Sequence, residues 1–211
     1  MLKFISPLIL FLLIVSCNSK EELVLKNGDL LFLDQSIGNL SEAITAVTQT
    51  DKATNYSHIA LVEKTEQEIW VLHAAPENGS ERISLQDFLT YAKKDSSTVV
   101  AYRIKPEIHF DASRAIQKAQ QMLGKPYNYS YILTDTAYYC SDFVYRAFEE
   151  DNIFTLEPMT FKDPISGTIH PTWVSHYEKM GLQVPEGLLG CNPNGMAASA
   201  KIEKIGILQQ P

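Results

Sequence analysis

The apolar positions of this chain form short continuous runs separated by segments with helical spacing. Residues 30–33 are an apolar run that follows the turn signal Gly28-Asp29, which predicts a short strand. Residues 57–62 and 69–75 are apolar on both faces and flank a polar segment, which predicts a hairpin of two buried strands. Residues 98–104 predict a further strand. These runs together indicate a largely buried sheet.

Apolar side chains at helical spacing predict the helices that connect and follow these strands. Ser84 and Asp87 form a capping-box-like start to one helix, and Asp111 is a candidate N-cap for another that Gly124 and Pro126 would end. The sequence signals weaken beyond Asp151, and we expect an irregular C-terminal tail. The predicted helices cover residues 40–47, 85–93, 112–123 and 173–180.

A further helix is predicted where residues 138–148 read YYCSDFVYRAF. Phe143, Val144 and Ala147 give this helix an apolar packing face. Cys140 therefore lies on its first turn, where the helix dipole stabilises a thiolate. The backbone N–H groups of that turn would also supply part of an oxyanion hole.

Two histidines in the predicted hairpin are candidate partners for this thiol. A hairpin folded symmetrically about Thr65 and Glu66 places His58 directly opposite His73, with Cβ atoms about 4.5–5.5 Å apart. A thiol with an ordinary pKa near ~8.5 needs an adjacent imidazole, and that imidazole needs a third group to orient it. The sequence thus predicts Cys140 as nucleophile, His58 as base and His73 as the orienting residue.

The same segments resemble a known family. GDLLF at 28–32, YSHIALV at 56–62, VLHA at 71–74 and YCSDFV at 139–144 are similar to NlpC-type papain-like cysteine hydrolases. In the ordinary family the cysteine helix precedes the histidine strand, whereas here the histidines come first, which resembles the circularly permuted YiiX/YaeF-like branch. The resemblance implies an α+β, papain-like fold with a central antiparallel sheet or small barrel packed by helices.

The resemblance also implies an activity. It makes Cys140 the nucleophile, His58 the general base and His73 the orienting residue of an acyl-enzyme mechanism that uses no cofactor and no metal. Tyr139 stands where peptidoglycan-cleaving members commonly have Asp, and Asp142 stands where Gly often follows Cys-Ser. Peptidoglycan specificity therefore does not transfer directly, and a peptide or a lipid-borne amide or ester are both expected substrate classes.

Several other side chains have a chemical and a structural interpretation. Asp29 follows a glycine at a strand entry and is interpreted as a turn former, and His109, His170 and His176 are expected at the surface. The tyrosines near the motifs could either take part in the site or be packing residues of the core. Candidates for substrate binding or oxyanion support are Tyr56, Tyr127, Tyr139 and Ser141.

The N-terminus indicates export. Lys3 precedes an apolar run over residues 4–15, which is short for a membrane span, and residues 14–17 read IVSC and resemble a bacterial lipobox. We therefore expect a lipoprotein signal at 1–16, a lipidated Cys17 with a polar tether at 17–25, and one domain over 26–211. The anchor would hold the protein at an envelope membrane, on the outer membrane or the periplasmic face. An uncleaved anchor helix is the alternative.

Composition narrows the function classes further. The chain has 25 acidic and 18 basic residues, a formal charge of −7, which does not favour nucleic acid as a partner. A monomer of one-domain size is expected. A disulfide between Cys140 and Cys191, or a zinc site formed by His58, His73 and Cys140, are structural alternatives. Functional alternatives are an acyltransferase of the lecithin:retinol acyltransferase-like type and a non-catalytic envelope binding module.

Overall fold

A computed structural model describes residues 23–34, 39–94 and 96–208. The strands are β1 (Leu30–Asp34), β2 (Tyr56–Lys64), β3 (Ile69–Ala75), β4 (Gly79–Ser84), β5 (Thr98–Ile104), β6 (Glu157–Pro158), β7 (Leu189–Gly190) and β8 (Ile202–Leu208). The helices are α1 (Asn39–Val47), α2 (Leu85–Lys94), α3 (Ala112–Gln121), α4 (Cys140–Ala147), a 3₁₀ turn (Glu149–Asp151), α5 (Pro171–Met180) and α6 (Pro193–Ala198). The signal and lipidation predictions for residues 1–22 lie outside the described residues.

The central sheet is antiparallel, with the strand order β4-β3-β2-β1-β5-β8. Its two faces bury different side chains because alternate residues of a strand point in opposite directions. Phe32, Ile59 and Leu72 belong to the core that includes α3, α4, α5 and α6. The other face carries side chains such as Ala60 and Val71 and packs against α2. The predicted α+β class is confirmed.

The hairpin between β2 and β3 forms with a different register from the predicted one. Leu61 pairs with Leu72 rather than with Trp70. The shift arises in the turn, where Thr65 N–H and its hydroxyl both donate to the carbonyl of Glu68 at 2.9 Å, which centres the turn one residue later than predicted. The partner changes by two residues, so the strands keep their faces and the two histidines stay on the same side.

Two strands of the central sheet, β4 and β8, were not predicted, and neither was the small sheet of β6 and β7. β4 pairs with β3 along its whole length, and β8 pairs with β5 at the far edge of the sheet. The prediction of an irregular C-terminal tail was therefore wrong, since α6 and β8 are both regular. Both strands lie at sheet edges and carry polar side chains, half-buried Glu81 and Arg82 on β4 and exposed Glu203 and Lys204 on β8. Neither strand therefore gives the continuous apolar run of a central strand.

The predicted helix starts are confirmed. Ser84 Oγ accepts the N–H of Asp87 at 3.0 Å, and the Asp111 carboxylate accepts the N–H groups of Ser113 and Arg114. Helix α4 begins at Cys140. Within the described part of the chain, none of the helices combines the length and the apolar character that a membrane span requires.

Candidate active site

Cys140 is the first residue of α4, and its thiol lies against strand β2. The side chain is buried, with 5% of its surface exposed. The thiol sulfur accepts hydrogen bonds from the backbone N–H groups of Ile59 and Ser141, as well as from its own. The ladder between β2 and β3 extends from Lys64 only as far as Leu61, so Ile59 lies in the part of β2 beyond it. The nucleophile candidate is thus held beside the residue that follows His58.

The protonation state of this thiol differs from the expectation. Burial raises the pKa of Cys140 to about 11, although the N–H groups of Ile59 and Ser141 lower it. Removing the sulfur from water disfavours its charged form more than the helix N-terminus favours it. The resting site therefore contains a neutral thiol at neutral pH, and the expected stabilised thiolate is not its resting form.

His58 and His73 form a buried pair on strands β2 and β3 that packs against helix α2. Nε2 of His58 lies 2.9 Å from Nδ1 of His73, and the ring planes are nearly perpendicular at 87°. The exposed fractions are 6% and 1%, and the rings of Phe88 and Tyr91 pack around both. Burial, together with the neighbouring His73, holds the pKa of His58 well below its usual value. His58 is therefore a neutral imidazole that can accept a proton.

Glu81 extends this pair and was missed by the sequence analysis. It lies directly opposite His73 in the β3–β4 ladder, and its Oε1 is 3.4 Å from Nε2 of His73. The direction of approach is poor for a linear hydrogen bond, so the contact is mainly electrostatic. The interaction with His73 lowers the pKa of the Glu81 carboxyl. Recognising this residue requires strand β4, which the sequence pattern did not indicate.

Two tyrosines lie beside the thiol. The rings of Tyr127 and Tyr131 pack edge to face with their centroids 6.5 Å apart, and both phenol groups are close enough to Cys140 to interact with its charge. Burial raises the pKa of both phenols, so both keep their protons. Tyr131 has a left-handed backbone with φ of 55°, which is unusual for a residue with a side chain. Only Tyr127 was singled out from the sequence, and Tyr131 is an additional candidate.

The other predicted residues have mainly structural positions. Ser141 Oγ donates to the carbonyl of Cys191 at 3.0 Å, and the Tyr139 hydroxyl accepts the Cys191 N–H at 3.3 Å. These bonds join the start of α4 to the segment before α6. Tyr56 packs on Phe32, and its hydroxyl lies 3.2 Å from that of Tyr102, away from the site.

A cavity of about 560 Å³ opens beside Cys140. Ser57, Tyr127, Tyr131, Tyr139, Ser141 and Cys191 line it near the thiol. The remainder of the wall comes from α1, α5, α6 and the loops around β6 and β7. The candidate nucleophile is therefore accessible from a large internal space rather than sealed in the core.

The remaining predictions can be placed on the structure. Cys140 and Cys191 are free thiols, so the alternative disulfide is not formed. Asp29 accepts the Lys26 N–H at 2.7 Å, as expected for a turn former, and also pairs with Arg103. His109 is exposed, and His170 is half-buried as the N-cap of α5. His176 is also half-buried, with its Nε2 2.7 Å from the carbonyl oxygen of Tyr129.

Comparison with known proteins identifies the family of this chain. The model of the permuted papain-like amidase enzymes, YaeF/YiiX, C92 family, matches residues 24–206. This chain belongs to the permuted papain-like amidase family. It is a cysteine hydrolase, and the predicted permuted YiiX/YaeF-like branch is confirmed. No curated protein matches the sequence of this amidase.

A solved structure shows the same fold. The crystal structure of metalloprotein yiiX from Escherichia coli O157:H7 superimposes with a TM-score of 0.69. The alignment covers 88% of this chain and 98% of that chain, at 20% sequence identity. The superposition shows that the two proteins share a fold. A sequence identity of 20% does not show that they share an activity.

The yiiX protein of that crystal structure is a metalloprotein. Among the described residues of this amidase, no group of three His, Cys, Asp or Glu side chains is placed to hold a metal ion. Nε2 of His58 and Nδ1 of His73, two of the expected zinc ligand atoms, face each other in a hydrogen bond. The side chains present therefore do not fit the predicted zinc alternative.

Proposed function

We propose that this amidase is a lipid-anchored envelope enzyme that cleaves an amide or ester bond through an acyl-enzyme on Cys140. The observation that carries the proposal is the position of the thiol at the N–H of Ile59, next to the buried His58–His73 pair. The candidate nucleophile lies at the start of α4, and the candidate base and orienting group lie on the neighbouring strands β2 and β3. The family requires a cysteine hydrolase, and these residues supply its parts.

The charge of Glu81 selects the tautomers of the two imidazoles. A carboxylate 3.4 Å from Nε2 of His73 favours a proton on that nitrogen, so Nδ1 of His73 is the acceptor. Nε2 of His58 then donates to Nδ1 of His73 across the 2.9 Å contact. Nδ1 of His58 is left without a proton, which is the state that a general base requires.

The reaction follows from these roles. The Cys140 sulfur attacks the carbonyl carbon while its proton passes to Nδ1 of His58, and the resulting imidazolium is stabilised through His73 and Glu81. The sulfur–carbon bond forms, the bond to the amine or alcohol breaks, and His58 returns the proton to that leaving group. Water then attacks the thioester with His58 as base, and the free acid leaves.

During this attack, negative charge develops on the carbonyl oxygen of the substrate and must be stabilised by hydrogen-bond donors. The backbone N–H groups at the start of α4 already point at the sulfur, and the Tyr127 hydroxyl is protonated beside it. Tyr127 and the N–H of Cys140 are the proposed oxyanion donors. In this assignment Tyr139 and Ser141 position the cavity wall through Cys191.

The proposal is tested in a Cys191→Ser variant. Among the residues that the structure describes, this variant keeps Cys140 as its single thiol. Wild-type background, Cys140→Ala and His58→Ala proteins are incubated with envelope extracts and with model amides and esters, and products are identified by mass spectrometry. We expect products and a transient acyl adduct on Cys140, both lost in Cys140→Ala. Products that persist in Cys140→Ala would contradict the proposal. Transfer to an added amine or alcohol rather than water would identify the acyltransferase alternative.

A further inference from the structure

The backbone that leads to Tyr131 is held in place by helix α5. Two consecutive residues of that helix bind two consecutive carbonyl groups of the chain. Nε2 of His176 lies 2.7 Å from the carbonyl oxygen of Tyr129, and the Tyr177 hydroxyl donates to the carbonyl of Ser130 at 2.9 Å. A carbonyl oxygen can only accept a hydrogen bond, so Nε2 of His176 is the donor. The two bonds fix the backbone immediately before Tyr131.

The residue that follows these bonds has an unfavourable backbone conformation. Tyr131 has φ of 55°, in a left-handed region that residues with a side chain rarely occupy. Its ring is enclosed by those of Tyr139, Trp173 and Tyr127, at centroid distances of 5.4, 5.5 and 6.5 Å. Such a conformation persists only where the surrounding structure imposes it, and it is concentrated at functional sites. The strain therefore points to a function for the position of this side chain.

That position is the end of the cavity that contains the nucleophile. Tyr131 and Cys140 both line the cavity, and the phenol is close enough to the thiol to interact with its charge. Burial raises the pKa of Tyr131, so its phenol keeps its proton and can donate a hydrogen bond. Neither His176 nor Tyr177 is among the described residues that line this cavity. Any effect of these two residues on the reaction must therefore pass through the backbone that they hold.

We propose that the Tyr131 phenol donates a hydrogen bond to the substrate carbonyl oxygen as negative charge develops on it, and that His176 and Tyr177 are positioning residues that hold it there. The inference rests on the proposed function and adds to it a second phenol donor beside Tyr127. A displacement of about 1 Å is enough to weaken such a contact strongly, because a hydrogen bond depends on distance and angle. Tyr131 keeps its proton throughout, so the covalent steps at Cys140 are unchanged.

The test compares two reactions of Cys140 in Cys191→Ser protein. Hydrolysis of p-nitrophenyl acetate develops charge on a carbonyl oxygen, whereas alkylation by iodoacetamide displaces iodide and needs no donor for such an oxygen. We expect Tyr131→Phe to lower kcat for the ester about 100-fold and Tyr177→Phe to lower it about ten-fold, with KM nearly unchanged in both. The rate of alkylation and its pH profile should not change. An unchanged kcat in either variant would overturn the inference.

A double-mutant cycle tests whether the positioning residues act through Tyr131. The variant that combines Tyr131→Phe with Tyr177→Phe should lose no more activity than Tyr131→Phe alone. His176→Ala should resemble Tyr177→Phe, and His176→Gln should restore most of the activity because its amide can still donate to the carbonyl of Tyr129. Losses that multiply in the double variant, or no rescue by His176→Gln, would overturn the positioning role.

The matched control removes a hydroxyl from another pair of buried tyrosines. In Tyr102→Phe the lost hydroxyl lies 3.2 Å from that of Tyr56, and neither tyrosine is among the described residues that line the cavity. Both reactions should be unchanged. Equal losses of alkylation and ester hydrolysis in the His176 and Tyr177 variants would show a general disturbance and overturn the inference, while the proposed hydrolase would stand. Ester hydrolysis that is undiminished in Cys140→Ala would instead overturn the proposed function.

Discussion

At the scale of single residues, Glu81 connects the catalytic proposal to an edge strand. Its carboxylate faces His73 from β4 and is the negative charge that would favour the required tautomer of the histidine pair. Because it never touches the substrate in this scheme, it is a positioning residue. Replacing Glu81 should therefore change the pH dependence of the reaction as well as the reaction rate.

Glu81→Gln should lower kcat/KM about ten-fold, because a hydrogen bond to a charged group is worth about 1.5–3 kcal/mol and this one is poorly aligned. The interaction with His73 lowers the pKa of Glu81, so the wild-type carboxylate is lost only as the pH falls. The variant should accordingly lose part of the acidic limb of the pH–rate profile. Glu77→Gln, exposed in the adjoining turn, is the control. Equal profiles for all three proteins would contradict this role.

At the scale of elements, helix α4 has a buried carboxyl group in its first turn, two residues after its nucleophile. Asp142 is fully buried, one of its oxygens accepts Arg146 Nε at 2.7 Å, and the other has no hydrogen-bond partner. Burial raises the pKa of this carboxyl to about 6, although Arg146 opposes the shift. The native state thus binds a proton that the unfolded state has already lost, so stability falls as the pH rises from about 4 to 6.

Asp142→Asn keeps an oxygen for Arg146 and removes the buried charge. We expect it to raise the free energy of unfolding at pH 7 by about 2 kcal/mol and to flatten its dependence between pH 4 and 6. Urea unfolding at both pH values measures this. Asp135→Asn removes the exposed carboxylate that also pairs with Arg146 and should change little. A loss of stability in Asp142→Asn at pH 7 would contradict the prediction.

The strand that carries Glu81 depends on a glycine. Gly79 has φ of +72°, and a Cβ there would lie 2.1 Å from the carbonyl oxygen of Lys125. Gly79→Ala should therefore cost about 3 kcal/mol or more, since backbone must move as well as adopt a strained φ. Gly124→Ala, at φ of +78° with open space around it, should cost only about 1 kcal/mol. Similar thermal unfolding of the two variants would refute the close contact as the cause.

At the scale of the whole molecule, the proposed membrane location would not depend on the charge of the acidic domain. A net charge of −7 does not attract anionic headgroups, and the proposed anchor is the lipidated Cys17. We predict that Cys17→Ala moves the protein from the membrane fraction to the soluble fraction and abolishes incorporation of a fatty acid label. Ser16→Ala is the control and should keep both. Labelling that survives Cys17→Ala would disprove lipidation at this position.

The sequence by itself determined the central strands β1, β2, β3 and β5 and most of the helices, because strand and helix periodicity and helix caps are properties of neighbouring residues. It placed Cys140 at a helix start and both histidines on buried strands of a hairpin. The register of the hairpin followed from hydrogen bonds within the turn, which the apolar pattern does not encode. The predicted register was wrong by two residues, but both histidines stayed on the same face because side chains alternate with a period of two residues along a strand.

Tertiary structure decided the features that need distant segments. Glu81 meets His73 only through the pairing of an edge strand, and the cavity is assembled from α1, α5, α6 and two intervening loops. The resting state of Cys140 is likewise a tertiary property. A helix start favours a thiolate, but the surrounding fold removes the sulfur from water, and burial contributes more than the helix does.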